Sequence, residues 1–197
     1  VREKFSTLYP VSKIILVEGI TEEILLIEFA KILGLDFKKR GYYVLGAGGK
    51  NQVAKKYYKL TEEINIPIFI LLDEDAEETT KLILPKLRKI DDIYKIQSGE
   101  FEDILPKNLI KNALNLHFQE NIYREDNDFH KDSSTVQDLS SFYKNNGWGE
   151  FKKANFAKLI REYLLLNNNF KIEGELEIII EKIKEQKWKQ QEAREFK

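Results

Sequence analysis

Pro67-Ile68-Phe69-Ile70-Leu71-Leu72-Asp73-Glu74-Asp75 decides the fold. Its apolar run does not alternate with polar residues, which predicts a short strand buried on both faces, as in a parallel sheet. Three acids end it. Reading outward, Lys13-Ile14-Ile15-Leu16-Val17 is a second run of this kind, ended by Glu18-Gly19. Between the two, Thr21 is the expected N-cap of a helix with apolar residues at 24, 25, 27, 29, 32 and 33, and Gly34 is its expected stop. Tyr42-Tyr43-Val44-Leu45 predicts another strand, closed by Gly46-Ala47-Gly48-Gly49, and a helix from about Lys50 to Ile64 leads on to Pro67. Downstream, a helix from roughly Glu77 to Lys89 and a fourth strand near Ile93-Tyr94-Lys95-Ile96 continue the alternation. Strands separated by helices of this length imply an α/β fold, paired in parallel through right-handed crossovers. Such sheets take their ligands beyond the carboxyl ends of the strands.

Those ends are acidic. Glu18 follows the first strand, and Glu22 lies four residues on, facing the same side of the next helix's first turn. Asp73 and Asp75 follow the strongest strand, and Glu100, Glu102 and Asp103 follow the fourth. Parallel, adjacent strands would bring these carboxylates to one edge. Crowded carboxylates repel one another and resist ionisation, and a hard divalent cation resolves the conflict. Oxygen ligands without Cys or His point to Mg²⁺ or Mn²⁺ rather than zinc. Five or six carboxylates would suit two ions about 4 Å apart, the arrangement that clamps both oxygens in phosphoryl transfer. The plainer reading stands beside it: acids in a helix's first turn complement the dipole, and Glu22, Glu23, Glu77 and Glu78 each fit that description.

Composition narrows the classes. The chain has 197 residues, 42% hydrophobic and 33% charged, enough apolar material for a real core. Thirty-two Lys and Arg balance 33 Asp and Glu, so any nucleic-acid surface must be local. With no cysteine, disulfides, thiolate zinc sites and Cys nucleophiles are excluded. His117 and His130 are isolated, and no Ser-His-Asp arrangement can be argued. No apolar run approaches the roughly 18 residues of a membrane span, and no secretory leader pattern is visible, so a soluble, cytoplasmic protein is the expectation. The Val1 start and the absence of methionine fit a piece of a longer protein.

A basic strip complements the acids. From Lys38 to Lys59 there are seven basic residues and no acidic one, with Tyr42, Tyr43, Tyr57 and Tyr58 interleaved. A phosphodiester substrate would suit such a strip beside a metal-ready pocket, though a solvated helix face is the better account of any single lysine. The glycines before Lys50 lack Walker A spacing, since Val44 stands at the first glycine position and Asn51 follows the lysine. They predict a tight turn with positive φ.

After about Pro106 the pattern becomes helical. Helices are expected over Asn108–Phe118, Phe151–Leu166 and Ile172–Trp188, with a polar loop over Gln119–Ser134 that holds Asp126-Asn127-Asp128. From Lys171 to Lys197 seven basic and seven acidic residues predict a solvated, ion-paired helix face. The expected division is a linker over 1–12, a catalytic core over 13–106 and a helical extension packed on it over 107–197.

Leu16-Val17-Glu18-Gly19-Ile20-Thr21-Glu22-Glu23, then Gly48-Gly49-Lys50, then Leu71-Leu72-Asp73-Glu74-Asp75, together resemble a TOPRIM domain, the topoisomerase–primase fold. The likeness covers about Lys13 to Pro106. Its Glu-Gly-x-Thr-Glu form is similar to that of the OLD (overcoming lysogenization defect) family of nucleases. Gly99-Glu100-Phe101-Glu102-Asp103-Ile104-Leu105-Pro106 is similar to a stretch that supplies further acidic ligands in that family. Lys153-Ala154-Asn155-Phe156-Ala157 resembles the family's Lys-Gly-x-Phe-Ala helix, with alanine for glycine and Lys152 as a neighbouring competitor.

The resemblance implies a metal-dependent DNA endonuclease or nickase. Two Mg²⁺ or Mn²⁺ ions would be held by Glu18, Glu22, Asp73 and Asp75, completed by Glu102 or Glu100. Glu18, Asp73 and Lys153 would be catalytic, and Lys50, Lys55, Lys56 and Lys152 would hold the DNA backbone. An ABC-type ATPase domain or subunit is the implied partner, in the same chain or separate, in an anti-phage defence setting; a homo-oligomer is compatible. A TOPRIM ribonuclease and a catalytically silent binding module are the alternatives.

Overall fold

The computed structural model describes residues 10–118, 133–167 and 169–185. Four parallel strands form one sheet: β1 (Lys13–Val17), β2 (Tyr42–Gly46), β3 (Ile68–Leu72) and β4 (Asp92–Lys95), in the order β2-β1-β3-β4. In the register, Ile15 lies beside both Val44 and Phe69, and Leu72 lies beside Lys95. Three crossovers carry helices: α1 (Ile20–Ile32) with the short α2 (Phe37–Arg40), α3 (Lys50–Glu63), and α4 (Glu77–Ile83). Then come α5 (Lys107–Phe118), α6 (Thr135–Asn145), α7 (Lys153–Leu166) and α8 (Glu175–Glu185).

All of β1 and β3 is buried, as an unalternating apolar run requires. Their side chains divide between two cores. Ile15, Val17, Phe69 and Leu71 face α1, α5, α7 and α8, while Ile14, Leu16, Ile68, Ile70 and Leu72 face α3 and α4. Burying each such side chain is worth about 1.5–3 kcal/mol, so central β1 and β3 anchor both layers. Helices after Pro106 thus share a core with the sheet face that α1 covers.

Lys13 breaks the apolar pattern of β1 yet is only 1% exposed. Its ammonium donates to the Ile183 carbonyl in the last turn of α8 and lies 4.7 Å from the Tyr42 ring centre. A helix C-terminus favours a cation, so this buried lysine pins β1 to α8. At the same end of the sheet, Asp91 accepts from Tyr57 Oη at 2.8 Å, Arg88 Nε at 2.7 Å and Ile68 N–H at 2.8 Å. Arg88 spends its other nitrogens on the carbonyls of Ile64 and Ile66.

Several boundaries differ from the sequence expectation, each for a local reason. The N-cap of α1 is Gly19, not Thr21, which is fully buried. Gly34 does follow the helix, at φ 78°. The helix begun at Glu77 ends at Ile83 rather than Lys89, because Pro85 lacks an N–H and turns the chain into a 3₁₀ turn over Leu84–Lys86. Asp36 accepts from Lys39 N–H and starts the unforeseen α2. Helix α6 was also unforeseen; Ser134 and Gln137 form its capping box. Helix α8 begins after Gly174, at φ 75°, rather than at Ile172. Val1–Phe5, Gln119–Asp132 with Asp126–Asp128 and His130, and the chain beyond Glu185 lie outside the described residues. Among the described residues no helix is long and apolar enough to cross a membrane.

Candidate active site

From β1 the chain crosses first to one side, to β2, and then to the other, to β3. A crevice opens at such a reversal, beyond the carboxyl ends of the two strands. Glu18 and Asp73 are the residues that follow β1 and β3, so the topology places them at the crevice. The Glu18 carboxylate accepts the Asp73 N–H at 2.8 Å, which ties the two strand ends together. Glu22 sits in the first turn of α1 and accepts the Gly19 N–H at 3.2 Å. Asp73 accepts the Phe101 N–H at 2.9 Å, which brings in the segment after β4.

Glu18, Glu22 and Glu102 are buried and Asp73 is half-buried. Burial pushes the Asp73 carboxyl up to about 8, with Glu18, Glu22 and Glu102 adding repulsion. Burial likewise lifts Glu22 to about 7, and Glu102 and Glu18 push the same way. Glu18 is raised too, burial again outweighing the Asp73 N–H. These four carboxylates therefore feel one another, and the site is short of positive charge.

Lysines supply part of it. Lys153, at the start of α7, donates to Glu100 at 2.6 Å and to Glu102 at 3.0 Å. Burial alone would lower its pKa, but the two carboxylates outweigh that and hold it above the ordinary lysine value. Lys50, at the start of α3, reaches Asp75 at 2.5 Å on the exposed side. Among the described residues, no three Asp, Glu or His side chains stand ready to hold a metal ion. Backbone amides and lysines hold the carboxylates in place.

Glu18, Glu22, Asp73, Glu100 and Glu102 therefore converge, and Asp75, paired with Lys50 on the exposed side, adds its repulsion at Glu18. Lys153, rather than Lys152, enters the carboxylate site; Lys152 is exposed at the N-cap of α7. Lys56 turns back to the Gly46 carbonyl at 2.6 Å, and Lys55 faces solvent beside Tyr58 and Lys59. Gly48 and Gly49 take φ of 91° and 115°, and the Gly49 N–H bonds the Glu18 carbonyl at 2.8 Å, so the turn folds against the end of β1. Asp103 bonds the N–H groups of Glu100 and of Thr135 at the start of α6. Glu74 bonds the Gly99 N–H at 2.6 Å, joining the two acidic segments. Thr21 donates to Glu102 at 2.6 Å across 81 positions of sequence, a partnership that local spacing does not reveal.

A family model described as "Overcoming lysogenization defect protein-like, TOPRIM domain" matches residues 11–75. No curated protein matches the sequence significantly. Among solved structures, the C-terminal region of the Burkholderia pseudomallei OLD protein superposes with a TM-score of 0.61 at 18% identity, covering 89% of this chain and 98% of that one. The C-terminal region of the Xanthomonas campestris pv. campestris OLD protein superposes with a TM-score of 0.53 at 18% identity, covering 89% and 97%. Residues 11–75 thus match an OLD-like TOPRIM domain, in a chain with the fold of these OLD C-terminal regions.

Proposed function

We propose that the protein is a divalent-metal-dependent DNA endonuclease or nickase that hydrolyses phosphodiester bonds by a two-metal mechanism. The observation that carries this reading is the convergence of Glu18, Glu22 and Asp73 at the sheet's reversal point, with Asp73 held at about 8 by burial and by its neighbours. The donor set fits Mg²⁺ or Mn²⁺: it is all oxygen, and its carboxylates resist ionisation until a cation joins them. Glu18, Glu22 and Asp73 would hold the ions, with the more exposed Asp75 and Glu100 beside them. The chemistry a divalent cation would supply if held by these residues is a more acidic water and positive charge to offset the leaving oxygen.

The chain's own residues do the rest. Lys153 places an ammonium where charge develops on the scissile phosphate. Lys50, Lys55, Lys56 and Lys152 hold the flanking backbone without reading bases. Balanced net charge gives weak non-specific DNA binding at physiological salt, which leaves room for an ABC-type ATPase domain or subunit to drive engagement, in a cytoplasmic anti-phage role.

Supercoiled plasmid incubated with Mg²⁺ or Mn²⁺ tests the reading, with EDTA and an Asp73→Ala/Asp75→Ala variant as controls. Metal-dependent nicking that the variant loses is the expected result. Equal nicking by the variant would overturn it, and cleavage of RNA alone would turn it into a ribonuclease.

A further inference from the structure

Glu102 is the most deeply buried acid of the cluster, only 1% exposed, and both of its oxygens are committed. One accepts the Thr21 hydroxyl at 2.6 Å, and the other accepts the Lys153 ammonium at 3.0 Å. Thr21 is itself fully buried, in the first turn of α1 directly beside Glu22. Its hydroxyl does not cap the helix, so its donor serves Glu102. The two bonds hold the Glu102 carboxylate between α1 and α7, with one oxygen turned to each.

We infer that Thr21 is a positioning residue that, through Glu102, holds the Lys153 ammonium beside the carboxylate cluster. The inference rests on the proposed metal-dependent chemistry for its consequence in catalysis, though not for its geometry. Thr21 fixes the rotamer of Glu102 from α1, Glu102 fixes Lys153 from α7, and the half-exposed Glu100 takes a second ammonium proton from the open side at 2.6 Å. The three chain segments that build the site are thereby locked in one register. Removing the Thr21 hydroxyl loosens the lysine without touching Glu18, Glu22 or Asp73. The loss falls on the chemical step rather than on substrate or cation binding.

Three readouts test this on Thr21→Val and Thr21→Ser, with circular dichroism as the check on folding. The first is the acetylation rate of Lys153, followed by peptide mass spectrometry against the other lysines. It should rise several-fold in Thr21→Val and return towards wild type in Thr21→Ser. The second is calorimetric titration with Mn²⁺, whose affinity and stoichiometry should stay within about twofold in Thr21→Val. The third is nicking, where kcat should fall about 10- to 100-fold in Thr21→Val with KM unchanged. Loss of an Mn²⁺ site in Thr21→Val, or unchanged Lys153 acetylation in that variant, would overturn the inference. A wild type that does not nick would remove the proposed function alone, because the acetylation rates still decide the positioning.

Discussion

Asp73→Asn should stabilise the metal-free protein at alkaline pH. The carboxyl of Asp73 is raised from 3.8 to about 8, first by burial and then by Glu18, Glu22 and Glu102. The unfolded chain releases this proton near pH 4, whereas the folded chain keeps it until about pH 8. The folded state therefore binds more protons across that window, and its stability falls as pH rises through it. At about 1.4 kcal/mol per pKa unit the upper bound is about 6 kcal/mol. Water reaches half-buried Asp73 and neighbouring carboxylates share the repulsion, which reduces the expected gain to about 1–2 kcal/mol. Asparagine keeps the oxygen that accepts the Phe101 N–H, so the comparison isolates charge. In EDTA at pH 8.5, Asp73→Asn should melt roughly 2–8 °C above wild type. At pH 4.5 most of that difference should vanish. A variant less stable than wild type at pH 8.5 would refute the reasoning, since it would mean that Asp73 is ionised and favourably paired.

Other changes should separate site from scaffold. Lys153→Met leaves buried Glu102 without its cation; it should lower nicking about 100-fold or more and cost about 1–3 kcal/mol in urea denaturation. Asp91→Ala strips the acceptor from Arg88, Tyr57 and the Ile68 N–H. It should cost about 3–5 kcal/mol while leaving the Mn²⁺ affinity of any surviving folded protein unchanged, as its network lies at the opposite end of the sheet. Gly99→Ala puts a methyl 2.4 Å from an Asp103 oxygen at φ 78°. It should cost about 1–3 kcal/mol, more than Gly34→Ala, which meets open space at the same φ; matched thermal melts decide.

Legibility in the sequence followed how local each cause was. Strands β1 and β3 could be read because burial on both faces leaves no alternation. The acids beyond them could be read because a parallel sheet presents its carboxyl ends to ligands. Pro85 carries its own signal and was available to shorten α4. Helix α6 was harder: apart from the Ser134–Gln137 box, its described buried residues are only Thr135 and Leu139, a weak apolar face. The pairings of Thr21 with Glu102, Lys13 with the end of α8, and Asp91 with Tyr57 join residues 34 to 170 positions apart. Such partners depend on tertiary packing, and no spacing rule reports them. The same applies to Lys153, whose likeness to a motif left it level with Lys152 until the start of α7 was seen to aim it at Glu100 and Glu102.

Whether the carboxylate crevice is a divalent-cation site is decided most directly by titrating Mn²⁺ into the wild type and Glu18→Gln/Asp73→Asn at pH 7.5. Calorimetry in two buffers of different ionisation enthalpy also counts the protons released. With Glu22 at about 7 and Asp73 at about 8, saturable binding should release about one proton, and the double variant should show neither the binding nor the release. Absence of saturable binding in the wild type, or binding that the double variant retains, would contradict a cation-seeking site at the ends of β1 and β3.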